Sequence, residues 1–363
     1  MKKLVSILLV LVLLVGTVVS CGKDKSTDKS SKEEAKEEVK EEAKEEAKEE
    51  VKEEAPEEKE KAEEESDASD DKKYKIALLP TDMAATFAAW LAQELEKEVE
   101  KYPNMEMTIL DSKNVLSTQL ANLENCVAQG YDYIILHPLE PDAEAEIVDQ
   151  YVSEGTPIMM INQSDGGSEL CSNVDADPIE QGAIVAEVAA EKIPENGKVV
   201  ILMGPSGNSH SIGRREGFQQ YLFDVRPDIE ILDEQLADWE KSKGMNYMED
   251  WMQAYPQIDA VISMNDAMAL GALEAAKAAG KDENMTFYGV DGLADAVLSI
   301  KDGGLTATCV QNARKFAEIG FEIIDKVLKG EIEFEKTLIP GELIDSNNVD
   351  EWIEIHKENG QIK

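Results

Sequence analysis

Several polar and aromatic residues of this chain stand at one kind of place, the carboxyl end of an apolar, β-branched run. Thr81-Asp82 follows IALLP, His137 follows YIIL, Asn162-Gln163 follows PIMMI, Asn265-Asp266 follows VISM, and Asp291 follows FYGV. Asp238-Trp239 and Gln311 occupy similar junctions, and Arg214 comes from the loop GPSGNSHSIGRREG. An amide offers both a donor and an acceptor without a charge to desolvate. A carboxylate accepts, and an indole face covers the apolar side of a ring. Together these types suit recognition of a neutral, hydroxyl-rich molecule. Within the pair at the end of VISM, Asp266 reads as the helix N-cap, which leaves Asn265 free to face outward.

Catalytic motifs do not accompany these residues. The Gly-rich loop GPSGNSHSIG lacks both the GK[ST] of a phosphate loop and the GxGxxG of a dinucleotide fold. Ser209-His210-Ser211 stands without the G-x-S-x-G elbow of a hydrolase. No Cys/His spacing points to a metal, and no cofactor is expected. Cys126 in a helical stretch and Cys309 in TATCV read as buried free thiols, and with Cys171 the three cannot all pair internally.

The elements that position the polar set alternate. From Tyr74 the chain runs strand-like KIALLP, helical TFAAWLAQELEKEVEKY, MEMTIL, a second helix, DYIILH, a third helix and PIMMIN. A second series follows, with strands KVVILMG, IEILDEQL, IDAVISM, MTFYGV and LTATCVQ between helices. Repeated βαβ units imply parallel sheets covered by helices, and their number exceeds one sheet of usual size. Two doubly wound α/β lobes are expected, with ligands beyond the carboxyl ends of the strands.

The chain has 363 residues and a formal net charge of -40, which disfavours nucleic acid and anionic membrane surfaces as partners. Its N-terminus begins with Lys2 and Lys3 and the apolar run LVSILLVLVLLV, too short for a mature membrane span and readable as a signal peptide over 1–20. The run ends in VVSC, which resembles a lipobox, so Cys21 is expected to carry lipid and to be the only tie to the cell membrane. Residues 21–73 form an acidic spacer built on KEEA and KEEV repeats. It has no apolar stripe to bury, and the repeat would reach about 36 Å if wholly helical. An extracytoplasmic, lipid-anchored protein follows from these features. A repressor core is excluded, because a signal peptide and an acidic spacer stand where its helix-turn-helix would be.

NDAMALGALEAAKAAG, followed by FYGVDGLADAVLSIKDGGLTATCVQ and DKVLKGE, resembles the periplasmic sugar-binding proteins of the ribose and galactose type. LADWEKSKGM is similar to their galactose and glucose branch, in which a tryptophan stacks on the sugar. The likeness runs from about Lys75 to Leu343. It implies the type I periplasmic binding protein fold: two doubly wound parallel-sheet lobes joined by a three-strand hinge. The lobes would be 74–176 plus 311–338 and 177–310 plus 339–363. It also implies a monomer that binds a monosaccharide, is no enzyme, and partners the permease subunits of an ABC importer. Asn162, Arg214, Asn265, Asp291 and Gln311 would bond hydroxyls, and Phe87 and Trp239 would sandwich the ring. His137 and His210 are further candidates, although a histidine in a Ser-rich loop also reads as a surface residue. The chain departs from the family at Ala84-Ala85, where Asp or Asn is frequent. It also has Gln163 where ribose binders place arginine, and His137 where asparagine is frequent. A receptor for a nucleoside or a furanosyl signal is the other reading of the same set.

Overall fold

A computed structural model describes residues 72–162 and 167–363. The signal peptide, Cys21, most of the spacer and Gln163 lie outside the described residues. The chain runs β1 (Tyr74–Leu79), α1 (Thr86–Val99), β2 (Met105–Ile109), α2 (Leu116–Ala128), β3 (Tyr133–Leu136), α3 (Pro141–Ser153), β4 (Ile158–Ile161) and β5 (Ser172–Ala176). It continues through α4 (Pro178–Lys192), β6 (Lys198–Met203), α5 (Ser209–Phe218), β7 (Glu230–Leu236), α6 (Lys241–Ala254), β8 (Ala260–Ser263), α7 (Asp266–Ala278) and β9 (Thr286–Asp291). The last elements are α8 (Ala294–Lys301), β10 (Ala307–Val310), α9 (Ala313–Leu328), β11 (Lys336–Ile339), β12 (Glu342–Asp345) and α10 (Val349–Glu358).

The strands form two sheets, ordered β11-β5-β4-β3-β1-β2 and β12-β10-β9-β8-β6-β7. Each is wound outward in both directions from its first strand, β1 or β6. Among the described residues all pairings are parallel except β10 with β12, where Ala307 faces Asp345. The two parallel-sheet α/β lobes expected from the sequence are therefore present. The chain passes between the sheets three times: from β5 to β6, from β10 to β11, and from β11 to β12.

The central strands are apolar throughout because both faces are covered. In β1, Ile76 and Leu78 point into one core, and Ala77 and Leu79 into the other. β3 repeats this, with Tyr133 and Ile135 on one side and Ile134 and Leu136 on the other. At about 1.5–3 kcal/mol for each large apolar side chain buried, these strands anchor the sheet. Cys126 and Cys309 are free and buried, as their apolar settings predict, and Cys171 is free and buried too.

Four elements escaped the pattern reading: β5, β11, β12 and α10. β5 is SNVDA, whose buried Ser172 and Asp175 break any apolar run. β11 and β12 are short strands at the edges of the sheets. The segment GNSHSIGRREG, read as a loop, is largely the helix α5, started by Asn208, whose side chain accepts from Ser211 N–H.

Candidate functional site

The carboxyl ends of the strands from both sheets meet at one small cavity of about 80 Å³. Phe87, His137, Asn162, His210, Arg214, Trp239, Asn265, Asp291 and Gln311 all line it. Thr81, Ala85 and Thr86 complete the wall on the first lobe.

On that lobe His137 and Asn162 form a pair. Asn162 Nδ2 donates to His137 Nε2 at 3.0 Å, which places the ring proton on Nδ1. Burial holds the ring neutral, pushing its pKa down to about 3. Neither His137 Nδ1 nor Asn162 Oδ1 has a partner among the described residues, and both are buried. The pair thus keeps one unmet donor and one unmet acceptor beside the cavity. Phe87, half-buried in the first turn of α1, stands edge-on to Trp90 at 5.9 Å and to Phe316 at 6.5 Å.

On the second lobe Arg214 is almost wholly buried and its five N–H groups are spoken for. Nε donates to Gln181 Oε1 at 3.0 Å. Nη1 reaches the Met264 carbonyl at 2.7 Å and Asp291 Oδ1 at 3.4 Å. Nη2 gives to Gln311 Oε1 at 2.5 Å and to His210 Nδ1 at 3.4 Å. Arg214 comes from α5 and not from a loop, so helix geometry aims it. Burial pushes the Asp291 carboxyl upward and the guanidinium pulls it back. His210 is likewise no surface residue. It is 2 % exposed, and its Nε2–H donates to Asp175 Oδ1 at 2.9 Å, linking α5 to β5 of the other sheet.

The Trp239 indole lies on Gly204, where a Cβ would come within 2.2 Å of the ring. The Arg214 guanidinium sits 5.7 Å from the indole centroid, within cation–π range. Asn162, Trp239 and Asp291 have φ of 53°, 66° and 132°, a backbone region that side chains other than glycine seldom adopt. Such strain tends to collect at functional sites.

The capping assignment at the start of α7 is reversed. Asn265 is the N-cap: its Oδ1 accepts from Met268 N–H at 2.9 Å and its Nδ2 reaches the Trp239 carbonyl at 3.4 Å. Asp266 is turned inward. Its carboxylate accepts from Leu293 N–H at 2.9 Å and from Thr308 Oγ1 at 2.7 Å, and lies against Gly289, where a Cβ would meet it at 2.2 Å. The aspartate therefore ties α7 to the strands beneath it, and the amide both caps the helix and holds the tryptophan turn.

Asp175, Gln181 and Gly204 belong to the site's framework and were missed. Gln181 lies inside a helix and Asp175 inside a strand, where strand-end reading does not look. Gly204 directly follows β6, a junction that could have been found. Among the described residues no cluster of His, Cys, Asp or Glu could hold a metal.

A model of the periplasmic binding protein domain matches residues 76–332. A xylitol-binding protein of Mycolicibacterium smegmatis is 33 % identical over 70 % of this chain and 72 % of its own length. A ribose import binding protein of Salmonella typhimurium is 33 % identical over 71 % of this chain and 86 % of its own. Among solved structures, an ABC transporter solute binding protein from Bacillus halodurans with bound myo-inositol superposes with a TM-score of 0.73. It is 27 % identical, with 79 % of this chain and 99 % of that one covered.

Proposed function

This chain belongs to the periplasmic binding protein family, in its ribose-type sugar-binding branch, and from that premise we propose that it closes its two lobes on one neutral monosaccharide or cyclic polyol and delivers it to a membrane permease. Members of this family are the sugar-binding, non-enzymatic components of ABC importers and work outside the cytoplasm. The lobes we assign are 74–176 plus 311–338 and 177–310 plus 339–363, moving about the three crossings. Lipid on Cys21 would hold the protein, as a monomer, at the cell surface through its acidic spacer.

One observation carries the choice of ligand. The Arg214 guanidinium is already paired with Asp291 and the His210 ring is bonded to Asp175, while among the described residues the unmet donor on His137 and the unmet acceptor on Asn162 are both neutral. A hydroxyl satisfies both roles without importing charge. Phe87 and Trp239 then supply apolar faces for the ring, Asn265 and Gln311 polar contacts at its rim.

A thermal-shift screen of monosaccharides and polyols tests this. A ligand present at about 100 times its Kd adds about 2.7 kcal/mol to stability. D-ribose, xylitol, myo-inositol and D-allose form the first panel. Stabilisation only by nucleosides or by anions would reject the reading.

A further inference from the structure

We infer that His356, on α10 and outside the cavity lining, is a positioning residue that ties the two walls of the proposed sugar site to each other; this rests on the functional reading above. The imidazole is fully buried, and its Nε2–H donates to the Gly292 carbonyl at 2.9 Å. Gly292 directly follows Asp291. The two have φ of 71° and 132°, and a Cβ on Gly292 would come within 2.7 Å of Val310. This turn aims the carboxylate into the cavity in a conformation that the local sequence disfavours, so an outside hold matters to it.

The other side of the same ring lies 5.4 Å from the Trp90 indole, tilted by 53°. Trp90 belongs to α1 of the first lobe and stands edge-on behind Phe87. Its buried Nε1–H has no acceptor among the described residues, so packing alone holds the indole against its neighbours. A second contact joins the same two helices, Lys97 Nζ donating to the Asn359 carbonyl at 2.8 Å. A path therefore runs Phe87, Trp90, His356, Gly292, Asp291, from the aromatic wall of one lobe to the carboxylate of the other. It bypasses the cavity and is separate from the three chain crossings. Through it α10 sets the mutual placement of ring face and hydroxyl acceptor.

The test compares the full-length protein with its His356→Ala and His356→Gln variants. Hydrogen exchange is first measured without sugar. Alanine should speed exchange by about threefold to tenfold, the worth of one buried hydrogen bond, in peptides covering both 86–92 and 289–294. Glutamine keeps a donor for the Gly292 carbonyl but not the ring, so it should restore 289–294 and leave 86–92 loosened. In the alanine variant, acceleration confined to 346–363, or to a single lobe, overturns the inference. If the alanine variant does not fold, the split pattern of the glutamine variant decides by itself.

Calorimetry with D-ribose, xylitol, myo-inositol and D-allose then follows. For whichever probe the wild type binds, alanine should weaken Kd by about tenfold, and an unchanged Kd counts against the role. A wild type that binds none of the four counts against the functional reading, while the exchange measurement still decides this one.

Discussion

Two asparagines at matching strand ends do different work, and their variants should separate accordingly. Asn265 caps α7 and holds the Trp239 carbonyl. Asn265→Ala should cost about 1 kcal/mol of stability without sugar and also weaken binding. Asn162 has a positive φ, and its Oδ1 has no partner among the described residues. Asn162→Gly suits that backbone, so melting without sugar should hold while affinity falls about fivefold to a hundredfold, measured by calorimetry. If both variants lose only stability, the site lies elsewhere. Glu144, which is not among the residues that line the cavity, offers a pH test. Burial lifts its carboxyl to about 7 from an ordinary 4.5, and Oε2 accepts from Glu140 N–H. The stability tied to its proton is fully present below about pH 4.5 and is lost as pH rises through about 7. Glu144→Gln keeps the acceptor and sheds the charge. It should therefore raise stability by about 1–3 kcal/mol at pH 8 and change little at pH 4.5, in urea titrations.

At the scale of elements, the turn after β7 and the turn after β6 form one device. The indole of the first rests on the missing side chain of the second. Gly204→Ala places a methyl group within 2.2 Å of the Trp239 ring. The ring must move off its seat, so sugar affinity should drop at least tenfold, with about 1–3 kcal/mol of overpacking strain in the unliganded fold. An alanine variant with native affinity would show that Trp239 does not cover the ligand. The strand ends that carry the site were legible because apolar β-branched runs stop abruptly at polar residues. The start of α5 was not, although a helix near RREGFQQYLF was expected, since Ser, Asn and Gly in its first turns read as loop until Asn208 is seen to cap them.

At the scale of the whole molecule, the closure we propose would take place about the three crossings between the sheets. Small-angle scattering should give a smaller radius of gyration with a saturating sugar; a saturated protein of unchanged size would oppose closure. Anchoring is tested separately: Cys21→Ser should release the protein from membranes or leave its precursor uncut. Membrane attachment and processing that survive this change would remove the lipid from the account.

The sequence by itself determined the alternation of strands and helices, hence two parallel sheets, and it marked the polar residues that end the strands. It did so because burial on both faces forces an apolar run whose end is abrupt. Tertiary structure alone decided which of those residues face the cavity with unmet groups. His210 is buried because Asp175 of the other sheet accepts a hydrogen bond from its Nε2–H, and Asp266 turns inward because Gly289 leaves room beneath it. Partners separated by tens of residues set these roles, and no local pattern records them. The same holds for α10, whose His356 meets Trp90 only once the two lobes are in place.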